Sequence, residues 1–135
     1  MARTRIVVDT NALVSRLLLA NSVPAQSVRK AVIEARLLVS EATMTELADV
    51  LARPKFDAYV RLEDRQQFFR LLGRIAEMVP VVHTIRACRD ARDDKFLELA
   101  VNGESDLIVT GDEDLLALHP FRSIPIITPA AYVGR

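Results

Sequence analysis

At 135 residues, half of them hydrophobic and none of them Trp, the chain is long enough for one domain with a substantial, mainly aliphatic core. Its 18 Lys and Arg balance 18 Asp and Glu. No global field therefore draws it to nucleic acid or membrane, and only a local basic rim is left for such a role. The single cysteine, Cys88, excludes an internal disulfide framework and cannot by itself make a zinc site.

The lead-in MARTRIVVDTN reaches Asp9 too early to hold a signal-peptide apolar core. No apolar run approaches the ~18 residues of a membrane span. A cytoplasmic domain without a membrane partner is expected.

The elements follow in chain order. RIVV (5–8) is a β-branched run with the look of a strand buried on both faces. Residues 11–20 read as a helix, and Pro24 opens another, PAQSVRKAVIEA, with Val28, Val32 and Ile33 on one face. RLLVS (36–40) is a second strand, after which Ser40 caps the helix EATMTELADVLAR, stopped by Pro54. KFDAYV and LEDRQQFFRLLGRIAEM carry helical character, the latter with an apolar face of Phe68, Leu71, Leu72 and Ile75. Pro80 introduces a third strand, VVH, and DDKFLELAVNG is a helix that stops at Gly103. DLIVT (106–110) and IPIIT (124–128) complete the strands. Such alternation predicts an α/β fold in one domain, with a parallel sheet covered on both faces.

In an open parallel sheet, ligands gather beyond the carboxyl ends of the strands. Asp9 closes RIVV, and Asp112 and Asp114 follow DLIVT, so neighbouring strands would bring these acids together. Asp93 and Asp94 stand at the start of DDKFLELA, and Glu46 borders the apolar stripe Leu47, Val50 and Leu51. Carboxylates on one edge repel one another unless a cation joins them, and hard oxygen donors without His or Cys point to Mg²⁺ or Mn²⁺. Each acid also has a purely structural reading. Asp9 ends a strand, Asp93 caps a helix, Glu46 closes a capping box with Thr43, and Asp112 and Asp114 are turn residues. One acidic site explains all of them at once.

The segments VVDTNALVS, SEATMTELADVLARPKF, RDARDDKFLELAVNGESDLIVTGDEDLLAL and IPIITPAAYV, in that order, resemble PIN-domain proteins. PIN domains are small Mg²⁺- or Mn²⁺-dependent ribonucleases. Within them the likeness is greatest to the toxin components of toxin–antitoxin systems related to VapC. The resemblance covers nearly the whole chain. It implies a three-layer α/β/α fold with a central parallel sheet of about five strands. It places the family's acids on Asp9, Glu46, Asp93 and Asp112, with Asp114 assisting and Asn11 and Thr110 as polar supports. Asn11 also reads as an N-cap. At the DDK pair either Asp93 or Asp94 can be the ligand. The family pattern favours Asp93, and the helix period puts Asp93 on the buried side of Leu97 and Asp94 toward solvent with Glu98.

The implied activity is metal-assisted hydrolysis of an RNA phosphodiester, with Glu46 completing the cluster and orienting or deprotonating the attacking water. Arg16, Lys95, Arg53 and Lys55 adjoin the acidic edge and are the candidates for contact with flanking phosphates. His83 and His119 fall outside the motifs. The resemblance further implies a cognate antitoxin and a homodimer, with the 64–78 helix as the surface to search. Two rivals stand beside this reading: an Asp-based phosphoryl-transfer domain, and a PIN-like module that binds RNA or protein without cutting. The first is weakened by Asn11, where a phosphatase pattern wants a second Asp, and by TGDED, where a receiver domain wants a Lys.

Overall fold

A computed structural model describes residues 3–135. Met1 and Ala2, the first two residues of the lead-in read above, lie outside the described residues. The elements run β1 (Thr4–Val8), α1 (Thr10–Leu18), α2 (Val23–Glu34), β2 (Ala35–Val39), α3 (Glu41–Leu51), α4 (Leu62–Ile75), β3 (Glu77–Met78), α5 (Asp94–Asn102), β4 (Leu107–Val109), α6 (Glu113–Leu116), β5 (Ile126–Ile127) and α7 (Pro129–Val133). The strands form one five-stranded sheet in the order β3-β2-β1-β4-β5, and every pairing is parallel.

The alternation of side chains along each strand builds the layers. Ile6, Val8, Leu37, Val39, Leu107 and Val109 join a core with α1, α2, α3 and Tyr132 of α7. Val7, Leu38, Ile108 and Ile126 face the other way, into a core with Phe96, Leu97, Leu99 and Ala100 of α5 and Leu115 of α6. The result is a PIN-like three-layer α/β/α architecture. Chain order reverses between β1 and β4, which are neighbours in register from Ile6↔Leu107 to Val8↔Val109. Asp9 and the segment after Val109 therefore emerge side by side.

Three expectations change. The third strand is Glu77–Met78, not VVH. Glu77 is fixed in place by Arg5, whose guanidinium donates to both carboxylate oxygens at 2.9 and 2.6 Å. Pro80 has no N–H to continue the ladder, and the amides of Val82 and His83 turn away to donate to Asn102 Oδ1. On α2, Val32 and Ile33 are exposed, because the face against α1 and α7 is made of Ala25, Val28 and Ala31. KFDAYV forms only one 3₁₀ turn, Pro54–Phe56, followed by turns. Gly103 ends α5 as expected, at φ −90°. A Cβ there would lie 2.9 Å from Leu38 Cδ1 and 2.9 Å from the Leu99 carbonyl, so this glycine is a matter of space.

Among the described residues, the most deeply buried charged side chain is an arginine. Arg65 of α4 is buried, donating to the carbonyls of Leu51 at 2.8 Å and Arg53 at 3.3 Å and pairing with Asp57 at 2.5 Å. It ties the end of α3 and the Arg53–Asp57 segment to α4. Nothing local in the sequence announced this, since an arginine between Asp64 and Gln66 reads as surface.

Candidate functional site: a carboxylate cluster at the β1–β4 switch point

Asp9 leaves β1 in extended geometry and N-caps α1, its Oδ1 accepting from the Ala12 amide at 2.9 Å. The cap that was open to Asn11 thus belongs to Asp9. Asn11 is the exposed residue of the otherwise buried first turn of α1 and lines the same cleft as the acids. Asp9 Oδ2 accepts from Thr110 Oγ1 at 2.5 Å, and both residues are buried. Burial pushes the Asp9 carboxyl above its ordinary pKa, and the Thr110 and Ala12 bonds pull against that shift. Thr110 Oγ1 also accepts from the Asp112 amide at 2.9 Å, so one hydroxyl fixes two acids.

Asp112 in turn caps α6, its Oδ1 accepting from the amides of Asp114 at 2.8 Å and Leu115 at 3.3 Å. Asp93 comes in from the turn before α5 and is half-buried. Its pKa is pushed up to about 6 by burial and by the nearby Asp112 charge. Asp93, Asp112 and Asp114 each offer an oxygen within 4.8 Å of the other two.

The neighbour Asp94 has the opposite disposition to that expected from the helix period. Asp94 is buried away from the cleft, accepting from the amides of Ala87 at 3.0 Å and Cys88 at 2.7 Å. Burial pushes its carboxyl up, but these bonds outweigh burial and hold it below its ordinary value. The expectation failed because the face that Asp94 shares with Glu98 is covered by the 85–88 loop, whose amides bond both carboxylates. Asp94 instead closes the loop beneath the site. Cys88, in that loop, is half-buried, and burial with the Asp94 carboxylate pushes its thiol up to about 12.

Glu46 reaches the cleft from α3. The capping box at the start of α3 is Ser40 with Thr43, which leaves Glu46 free of that duty. Its Oε1 accepts from Lys95 Nζ at 2.9 Å, and its Oε2 accepts from Thr10 Oγ1. Thr10 is thus a polar support that sequence reasoning missed. Its signal was the position between Asp9 and Asn11, but its target lies 36 residues away.

The cleft so formed measures about 140 Å³ and is lined by Asp9, Asn11, Glu46, Arg53, Asp93 and Asp112 among others. Of the four basic candidates, Arg53 lines it and Lys95 is bonded to Glu46 at its wall. Arg16 and Lys55 do not line it, and Lys55 Nζ instead sits 5.1 Å from the Phe56 ring centre. Beside the cleft, a broader depression of about 920 Å³ shares Glu46, Val50 and Arg53 with it. A more apolar groove of about 350 Å³ lies elsewhere, between α3 and α4. His83 is exposed, and His119 Nδ1 accepts from the Ile126 amide at 2.8 Å, so neither serves the cleft.

The donor set is all oxygen and strongly anionic, which suits a hard divalent cation and no soft one.

A relative found among known proteins is the uncharacterized protein MJ1680 of Methanocaldococcus jannaschii, 26% identical over 122 residues, covering 87% of this chain and 76% of that protein. Two solved structures share the fold. PAE2754 from Pyrobaculum aerophilum aligns with TM-score 0.63 and 15% identity over 98% of this chain and 88% of its own. VapBC2 from Rickettsia felis, in a crystal structure bound to a DNA fragment from its promoter, aligns with TM-score 0.57 and 12% identity over 93% and 97%. The family model of the PIN domain matches residues 5–114, which carry the cleft's carboxylates from Asp9 to Asp114; this chain belongs to the PIN domain family.

Proposed function

We propose that this chain is a divalent-metal-dependent endoribonuclease, acting as a single PIN domain and as the toxin of a toxin–antitoxin pair. The observation that carries the proposal is the meeting of Asp9, Asp93, Asp112 and Glu46 in one cleft at the switch point of a PIN fold.

Asp93, Asp112 and Asp114, with Asp9 beside them, would hold Mg²⁺ or Mn²⁺, which supplies a water of lowered pKa and neutralises charge on the phosphate. The residues of the chain do the rest. Thr110 holds Asp9 and the Asp112 backbone at fixed separation. Glu46, held by Thr10 and Lys95, faces the cleft and orients the attacking water. Lys95 and Arg53 present cations to the scissile and flanking phosphates, and Arg16 and Lys55 extend that contact outside the cleft.

The antitoxin partner is inferred from the likeness to VapBC2. The half-exposed Leu71 and Ile75 of α4 mark the face proposed for a partner or a second copy.

The test is RNA cleavage by purified protein. Cleavage with Mg²⁺ or Mn²⁺, abolished by EDTA and by Asp9→Asn, is expected. Metal-independent cleavage, or full activity in that variant, overturns the proposal.

A further inference from the structure

Two hollows meet along α3. The cleft of about 140 Å³ holds the carboxylates, and the depression of about 920 Å³ shares Glu46, Val50 and Arg53 with it. Sites for organic ligands generally measure about 300–1,000 Å³. The cleft falls short of that range and has room for an ion and phosphate oxygens, whereas the depression can take a nucleoside. Met78 and Val81 line the depression with exposed apolar surface. Arg92 lines it too, from the 3₁₀ turn before α5.

Asp90 accepts from the Arg92 backbone amide at 2.9 Å and grips its guanidinium through Nε at 3.2 Å and Nη2 at 2.9 Å. One edge of the planar group is thereby tied to its own turn, and its charge is balanced by that carboxylate. The side chain is nevertheless 84% exposed. A guanidinium so paired has little left for a phosphate, but its flat face stays open. Single-stranded RNA is held through such faces, because its unstacked bases splay from the backbone and stack on aromatic rings or arginine planes. We propose that the depression is the subsite for a nucleobase next to the scissile phosphate, with the Arg92 guanidinium as its stacking platform and Met78 and Val81 as the apolar surface around it. A face-on contact tolerates any base, so the subsite supplies affinity more than sequence preference. The proposal rests on the ribonuclease reading above and adds to it the place of the base.

Fluorescence anisotropy of the full chain with two labelled tetramers tests it. One is a uridine tetramer, and the other has the same ribose–phosphate backbone without bases; both are titrated in Ca²⁺ at a single salt concentration. The wild type should bind the uridine tetramer at least about fivefold more tightly, the low end for stacking one base. Arg92→Lys keeps the charge and removes the plane, and Arg92→Ala removes both; each should bring the ratio of the two affinities close to one. Circular dichroism certifies that both variants are folded. A wild type without the preference, or a ratio as large as the wild type's in either folded variant, overturns the platform. RNA cleavage with Mn²⁺ is scored separately. A wild type that cuts RNA but ignores the base loses the subsite and keeps the nuclease reading. The predicted preference without any cutting overturns the nuclease reading alone, and failure to bind either tetramer overturns both.

Discussion

Thr110 Oγ1 lies 2.5 Å from Asp9 Oδ2, so the residue that follows β4 donates directly to the residue that follows β1. The same hydroxyl accepts from the Asp112 amide. Thr110→Val keeps the shape and removes both bonds, leaving a buried carboxylate with one donor fewer. The Asp9 pKa should rise further, since the Thr110 bond is what most opposes burial there. Divalent-ion affinity should fall by about tenfold to a hundredfold, the usual effect of losing a group that orients a ligand. Calorimetry with Mn²⁺ at neutral pH checks this, and unchanged affinity would contradict it.

Asp93 sets a pH dependence whose sign is fixed. Its folded-state pKa of about 6 exceeds the ordinary carboxylate value, so the folded protein holds a proton that the unfolded chain releases. The stability this contributes is fully present below about pH 4 and is lost as pH rises through about 6. Asp93→Asn should therefore raise the melting temperature of the metal-free protein at pH 7.5. Because the group is largely solvated, a gain on the order of 1 kcal/mol is expected. Little difference should remain at pH 4. Scanning calorimetry of both forms at the two pH values tests it, and equal gains at both would sink the assignment.

The same proton competes with a cation. Mn²⁺ affinity of the wild type should drop as pH falls through 6, because Asp93 must lose its proton before it can ligate. Titration at pH 5.0, 6.0 and 7.5 reads this directly. A flat profile would place the ion away from Asp93.

At Gly103 the fold demands space. A methyl group there meets the Leu38 side chain and a backbone carbonyl at 2.9 Å, and the carbonyl cannot move without disturbing the end of α5. Gly103→Ala should destabilise by about 1–3 kcal/mol, the range for overpacking a filled site. Urea denaturation measures it. A gain in stability, as entropy alone would give an alanine at a relaxed helix end, would show that the contact yields.

Arg65→Ala removes a buried donor from the carbonyls of Leu51 and Arg53. Asp57 keeps water on its far side, with 67% of its side chain exposed, so no charge is stranded. The cost should be about 2–3 kcal/mol from orphaned carbonyls and lost packing, read as a lower urea midpoint. Since Arg53 rides on the tethered segment, RNA affinity should weaken in the same variant.

The parts of the fold visible in the sequence are those decided locally. β1 and β4 are apolar runs buried on both faces, Ser40 caps α3, and Pro24 and Pro54 punctuate helices. Asp9, Asp93 and Asp112 could be placed because each follows a strand or precedes a helix in a parallel sheet, a matter of topology, whereas Glu46, in the middle of α3, was placed by the family resemblance. What stayed hidden is long-range. Glu77–Met78 is a strand because it pairs with Leu38–Val39, and Arg5, 72 residues away, holds Glu77 there. Lys95 reads as a free phosphate contact until α3 brings Glu46 to it. Asp94 reads as solvent-facing until the 85–88 loop folds over the face it shares with Glu98, a contact that leaves no mark in the helix period.

The sheet's two outer strands are each two residues long, Glu77–Met78 and Ile126–Ile127. One of them carries a carboxylate already clasped by Arg5. Neither offers the run of unpaired amides and carbonyls on which a foreign strand could be templated. Assembly of this protein, with itself or with another chain, is thereby steered to helical faces, and edge-to-edge sheet growth, the common route to insoluble aggregates, is closed at both ends.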